Sequence, residues 1–193
     1  MTLVVGITGG IACGKTEVSK YLIKKGYLVF NSDLEVKNIK NNENFINKTK
    51  ILFPRVIINN KIDNHLLLKE FMENDKKLKE FERIIHPLVF EKIEVFINEN
   101  KDKPIVFLEI PLLYECNAEN ICNKVIVVYV EREIQEKRVL DRPNMTLEKK
   151  NFFLNEQMSL DEKRMKADYL VYSGNSFENM YKEIDNILEQ LKV

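Results

Sequence analysis

Residues 9–16 read GGIACGKT, and Gly9, Gly14, Lys15 and Thr16 fit the spacing G-x-x-x-x-G-K-[ST]. A segment of this kind can hold a polyphosphate. Its glycines let the backbone come close, successive N–H groups turn inward, and a helix starting near Thr16 adds its positive end. Lys15 can reach the β and γ phosphates, and the Thr16 hydroxyl can ligate Mg²⁺. The loop names a donor, the polyphosphate of a nucleotide. It does not name an acceptor.

Other groups could complete such a site. IVFLEIP at 105–111 is an apolar strand ending in an acid, where Glu109 could orient Mg²⁺ or its water. Asp33 follows the apolar run ending VFNSD. It could accept the proton of an attacking hydroxyl late in a loose phosphoryl transfer, or it could cap the helix starting at Leu34. Arg132, Arg138 and Arg142 lie in VEREIQEKRVLDRPNM. Arg138 and Arg142 are four apart and share a helical face, either as a clamp closing on an anion or as a solvated face offset by Glu136 and Asp141. Cys13 is either a small side chain that fits the loop or a low-pKa thiol at a helix N-terminus. His86 precedes Pro87, a placement that suits capping or packing.

These groups need a scaffold. Leu3–Thr8, Tyr27–Asn31, Ile105–Ile110, Val125–Val130 and Tyr169–Tyr172 read as strands, the first four nearly continuous in apolar residues, as in parallel strands covered on both faces. Helical patterns lie between them: Thr16–Lys25, stopped by Gly26, then Pro87–Asn100, Arg132–Arg142 and Thr146–Gln157. Ser176–Lys192 closes the chain, apolar at Met180, Ile184, Ile187, Leu188 and Leu191. The alternation predicts an α/β, doubly wound five-stranded parallel sheet. Residues 34–100 carry no strong parallel strand and read as a mostly helical insert, with a small hairpin around Val56–Ile62. The core is expected at 1–33 and 101–193, with a lid at roughly 132–160.

Composition narrows the partners. The chain has 193 residues, 45% hydrophobic and 31% charged, ordinary for a soluble globular protein. Lys+Arg and Asp+Glu both total 30, for a net charge of zero, which argues against bulk binding to nucleic acid. No run approaches the roughly 18 apolar residues of a membrane span. Three cysteines without a C-x-x-C fit a reducing compartment, and the N-terminus lacks the basic region of a signal peptide. The expectation is a cytoplasmic protein.

TGGIACGKT, NSD at 31–33, IIHPLV at 84–89, EIPLLYE at 109–115, the Q-x-x-R-x-x-x-R of Gln135, Arg138 and Arg142, and Gln157 followed by EKRMKADYLVYS at 162–173 resemble, in order and spacing, the dephospho-CoA kinase family of P-loop kinases. The resemblance covers nearly the whole chain. It implies ATP-dependent, Mg²⁺-assisted phosphorylation of the ribose 3′-hydroxyl of dephospho-CoA. It implies that Gly10, Ile11, Ala12, Cys13, Gly14, Lys15, Thr16 and Glu17 bind ATP together with Arg142. Asp33, Lys15 and Arg138 would be catalytic, Asp33, His86 and Leu112 would meet the acceptor, and Thr16 and Glu109 would hold the metal. It further implies a helical acceptor-binding insert, and small-molecule partners only, with no nucleic acid or membrane, for a monomer or weak homo-oligomer. Cys13 stands where Ser is usual in the family, Glu17 where Thr is, Glu109 where Asp is, Asn64 where Arg is and Ser173 where Asn is. Two rivals are another metabolite or nucleotide kinase on the same core, and a nucleotide-binding switch with no acceptor.

Overall fold

The computed structural model describes residues 2–191. These divide into two units, residues 2–31 with 96–191, and residues 32–95.

The first unit is built on five parallel strands in the order β2-β5-β1-β6-β7. They are β1 (Leu3–Gly9), β2 (Leu28–Asn31), β5 (Ile105–Glu109), β6 (Lys124–Tyr129) and β7 (Tyr169–Tyr172). Their boundaries fall within one residue of the apolar runs. β5 is buried at every position, as expected for a strand flanked by neighbours and covered on both faces. β2, at the sheet edge, is only partly covered. Helix α1 (Lys15–Lys24) leads from β1 to β2, and α6 (Arg132–Leu140), α7 (Leu147–Asn155), α8 (Leu160–Lys166) and α9 (Phe177–Leu191) follow the later strands. One side of the sheet packs Val5, Ile7, Phe107, Ile126, Val128 and Val171 against Val18 and Leu22 of α1 and Met180, Ile184, Ile187, Leu188 and Leu191 of α9. The five α9 residues are those its 3.6-residue periodicity singled out. Ser176 stands before this helix, its Oγ accepting from Asn179 N at 3.4 Å.

The helix expected over Arg132–Arg142 stops at Leu140. Pro143 disfavours the α conformation at Arg142, so Arg142 lies beyond the helix and does not share a regular helical face with Arg138.

The second unit contains α2 (Ser32–Lys40), α3 (Glu43–Leu52), the hairpin β3 (Ile57–Ile58) and β4 (Lys61–Ile62), α4 (Asn64–Glu73) and α5 (Asp75–Glu99) up to Val95. Asn42 caps α3 by accepting from Asn44 N at 3.0 Å, and Asp63 caps α4 by accepting from His65 N and Leu66 N, both at 2.9 Å. Asn59 and Asn60 both have positive φ, as a two-residue type I′ hairpin turn requires. Phe45, Phe53, Phe71 and Phe81 meet mostly edge to face in its core. The sequence pointed to a helix starting at Pro87, but α5 runs through Pro87 from Asp75. An interior proline costs about 3 kcal/mol. The buried stripe of Phe81, Ile85, Val89 and Ile93 spans it on both sides, and packing offsets the lost backbone bond.

Gly9 ends β1 at φ 146°, and a Cβ there would lie 2.1 Å from the Val128 carbonyl oxygen. Gly9→Ala should therefore cost about 2–3 kcal/mol and lower Tm by about 5–10 °C. A thermal melt within a degree of the native chain would contradict the clash.

Candidate active site

The parallel register sets the floor of the site. Ile7 and Asn31 both lie level with Glu109 across the β1–β5 and β2–β5 pairs, so β2 and β5 end at one height and β1 runs two residues further, to Gly9. Glu109 is 4% exposed. Its Oε2 accepts from Asn31 Nδ2 at 2.8 Å, and its Oε1 lies 3.5 Å from the Thr16 hydroxyl, which donates to it. The two residues expected to hold a metal are thus adjacent. Both offer oxygen, the donor a hard divalent cation takes.

The loop from Gly9 to Gly14 crosses above this floor. Gly14 has φ 92° and caps α1, which begins at Lys15. The Lys15 side chain is buried, with Nζ donating to the carbonyls of Gly9 at 3.0 Å and Gly10 at 2.9 Å. Glu17 turns to the surface and pairs with Lys20 at 2.6 Å.

Arg138 reaches the neighbourhood from α6. Its guanidinium donates to Ser173 Oγ at 3.1 Å and to the Ser173 carbonyl at 2.8 Å. It does not pair with Glu136, which takes Arg132 and Lys150 at 2.9 and 2.8 Å. Arg142 is exposed beyond the helix end. Leu112 sits half-buried just after Pro111, whose carbonyl accepts from Thr8 Oγ1 at 3.0 Å and from Lys163 Nζ at 2.8 Å.

Asp33 and His86 belong to the second unit. Asp33 lies exposed in the first turn of α2, so it is not the residue before a helix starting at Leu34. His86 is half-buried in the interior of α5. Burial holds its pKa below the ordinary value, which leaves the imidazole neutral near pH 7 with one donor and one acceptor.

Sequence reasoning did not assign roles to Lys163, Gln135 and Gln157. Lys163 is fully buried in α8 and pairs with Glu115 at 2.9 Å. Nothing in LDEKRMK marks which lysine turns inward. Gln135 and Gln157 bond the backbone of Ile11. Their presence was visible in the sequence, but their partners were not.

The thiol of Cys13 is fully buried beneath the loop. Burial raises its pKa, although Lys15, Arg138 and Lys163 pull it down. Burial wins, so of the two readings of Cys13 the small side chain that fits the loop stands and the low-pKa thiol does not. Iodoacetamide at pH 8, followed by site-resolved mass spectrometry, should label Cys13 at least about tenfold more slowly in the native than in the unfolded chain. Labelling at the rate of a free cysteine would restore a reactive thiol.

Comparison with known proteins accords with this geometry. The dephospho-CoA kinase (CoaE) family model matches residues 3–179. A dephospho-CoA kinase from Agrobacterium fabrum is 37% identical over 193 residues, covering 99% of each chain. The structure of a dephospho-CoA kinase from Campylobacter jejuni superposes with a TM-score of 0.70 at 27% identity, covering 99% of this chain and 98% of that one. The crystal structure of TT1252 from Thermus thermophilus does so with a TM-score of 0.86 at 28% identity, covering 100% of this chain and 99% of that one. A buried phosphate-loop lysine, a strand-end carboxylate facing the loop threonine, and a match along almost the entire sequence lead to one conclusion: this chain belongs to the dephospho-CoA kinase family.

Proposed function

We propose that this chain transfers the γ-phosphoryl group of ATP to the ribose 3′-hydroxyl of dephospho-CoA, giving coenzyme A and ADP, the last step of coenzyme A biosynthesis. The observation that carries the reading is the convergence of Thr16 and Glu109 beneath a phosphate loop that also holds Lys15, in a chain of this family.

Thr16 and Glu109 form an all-oxygen pair that fits Mg²⁺, and among the described residues no larger acidic or histidine cluster competes with it. Sites of this kind take Mg²⁺ on one or two protein oxygens plus the nucleotide's phosphates. Bound there, Mg²⁺ would offset charge building up on the phosphate oxygens.

The chain's own groups do the rest. Lys15, set in the loop by its bonds to the Gly9 and Gly10 carbonyls, meets the β and γ phosphates in a charge-assisted contact. Asp33 accepts the proton of the 3′-hydroxyl as the oxygen–phosphorus bond forms and the bond to ADP breaks. Arg138 and Arg142 close over the phosphates and keep out water, which would otherwise take the phosphoryl group. His86 and Leu112 contact the acceptor. Positioning and charge stabilisation supply most of the rate. The three free thiols support action in the reducing cytoplasm. Among the described residues, no helix is long and apolar enough to cross a membrane.

An ADP-release assay with dephospho-CoA against a panel of nucleoside monophosphates tests this. Release should rise with dephospho-CoA alone. Stimulation by a monophosphate instead would make the chain a nucleotide kinase, and no stimulation by any acceptor would point to a switch. Asp33→Asn should lower kcat about 100-fold while ATP affinity stays within about threefold. Near-normal turnover in that variant would remove Asp33 as the base.

A further inference from the structure

Both peptide groups that flank the Ile11 α-carbon are held by glutamines from distant parts of the same unit. Gln135 Nε2 donates to the Ile11 carbonyl at 2.9 Å, and Gln157 Oε1 accepts from the Ile11 N–H at 2.9 Å. Gln135 is buried on α6, and Gln157 is half-buried just after α7. The orientation of each amide is forced by the loop, because a carbonyl takes only a donor and an N–H only an acceptor.

A trans peptide is planar, so its C=O and N–H point in opposite directions. Fixing the Ile11 carbonyl on Gln135 therefore turns the Ala12 N–H the other way. Fixing the Ile11 N–H on Gln157 turns the Gly10 carbonyl away from Gln157. There it accepts from Lys15 Nζ at 2.9 Å and from Cys13 N at 3.2 Å. Between these two held planes and the next residue the chain must bend sharply: Ala12 sits at φ 60°, a conformation costing a residue with a Cβ about 1 kcal/mol. Left to itself the loop has cheaper shapes. Gly10 belongs to the same device, since a Cβ there would lie 2.3 Å from Gln135 Nε2 and would push the amide out.

We infer that Gln135 and Gln157 are positioning residues for the phosphate loop. Together they set the orientation of two consecutive peptide planes, aim the Ala12 N–H at a bound polyphosphate, and make the loop's shape depend on where α6 and α7 sit. Neither glutamine touches the phosphates. The inference rests on the proposal that the loop binds ATP.

Hydrogen-bond polarity provides the test. A glutamate carboxylate has no donor for the Ile11 carbonyl, but it accepts from the Ile11 N–H as well as an amide does. Gln135→Glu and Gln157→Glu add the same charge, yet only the first breaks its bond. ADP binding by calorimetry is measured on the full chain for the native protein, both glutamate variants, Gln135→Met and Gln157→Met, with a thermal melt for each. Gln135→Glu, Gln135→Met and Gln157→Met should each weaken ADP binding about tenfold. Gln157→Glu should recover most of the loss seen in Gln157→Met. Equal losses in the two glutamate variants would overturn the inference, and so would native affinity in Gln135→Glu. If Gln135→Glu fails to fold, Gln135→Met carries the test, and native affinity there overturns the inference. A native chain that binds no ADP would overturn the functional reading itself, an outcome separate from native binding with unresponsive variants.

Discussion

A carboxylate taken almost wholly out of water is the constraint around which the first unit is arranged. Glu109 would cost several kcal/mol at that depth without partners. Asn31 and Thr16 partner its two oxygens, and both depend on register. Asn31 reaches it only because β2 runs parallel to β5 with Asn31 level with Glu109. Thr16 reaches it because β1, on the other side, runs parallel to β5 with Ile7 level with Glu109 and, two residues on at Gly9, hands the chain to the phosphate loop. The connection from β1 leaves toward β2, and the one from β5 crosses past β1 to β6. Connections diverging in this way open a crevice at the carboxyl ends of the strands, so the topology that buries the acid also makes room above it.

The cations around the loop divide by the partners they hold. Lys15 rests on two carbonyls and Arg138 on a hydroxyl and a carbonyl. The Ser173 hydroxyl and carbonyl are weaker acceptors than phosphate oxygens, so in the proposed reaction a polyphosphate can draw Arg138 away. Lys163 is fully buried and pairs with Glu115, and removing it would strand a carboxylate. It therefore serves as a fixed strut. It ties α8 to the turn after β5, because Glu115 also accepts from Met158 N and Lys163 also donates to Pro111 O.

What could be read from the sequence was local. The phosphate loop depends on glycine and lysine spacing, α9 on one apolar stripe, and Glu109 on its place at a strand end, and the structure places each as expected. What could not be read involved competition between distant forces. The sequence signalled that Pro87 begins a helix, and the stripe from Phe81 to Ile93 outweighed it. Arg138 and Arg142 are four apart, yet Pro143 separates them by ending the helix. For Cys13 two readings stood open, and burial decided for the small side chain over the low-pKa thiol. At Pro87 and Cys13 the deciding term was tertiary packing or desolvation, which spacing alone does not encode; at Arg142 it was the local steric effect of Pro143 on the residue before it.

The same distinction explains why the loop tolerates unusual letters. In the proposed reaction its work is done by backbone groups and by Lys15 and Thr16. Cys13 can replace a hydroxyl because its side chain is packed beneath the loop, and Glu17 can vary because it faces solvent and pairs with Lys20. The letters that cannot vary freely include two outside the motif. Gln135 and Gln157 lie more than a hundred residues away, and each must present one particular end of its amide to Ile11. A glycine-rich motif thus supplies a backbone able to adopt the phosphate-binding shape. The α6–α7 region supplies the bonds to Ile11, so on the proposed reading donor binding and the placement of α6 and α7 become one equilibrium.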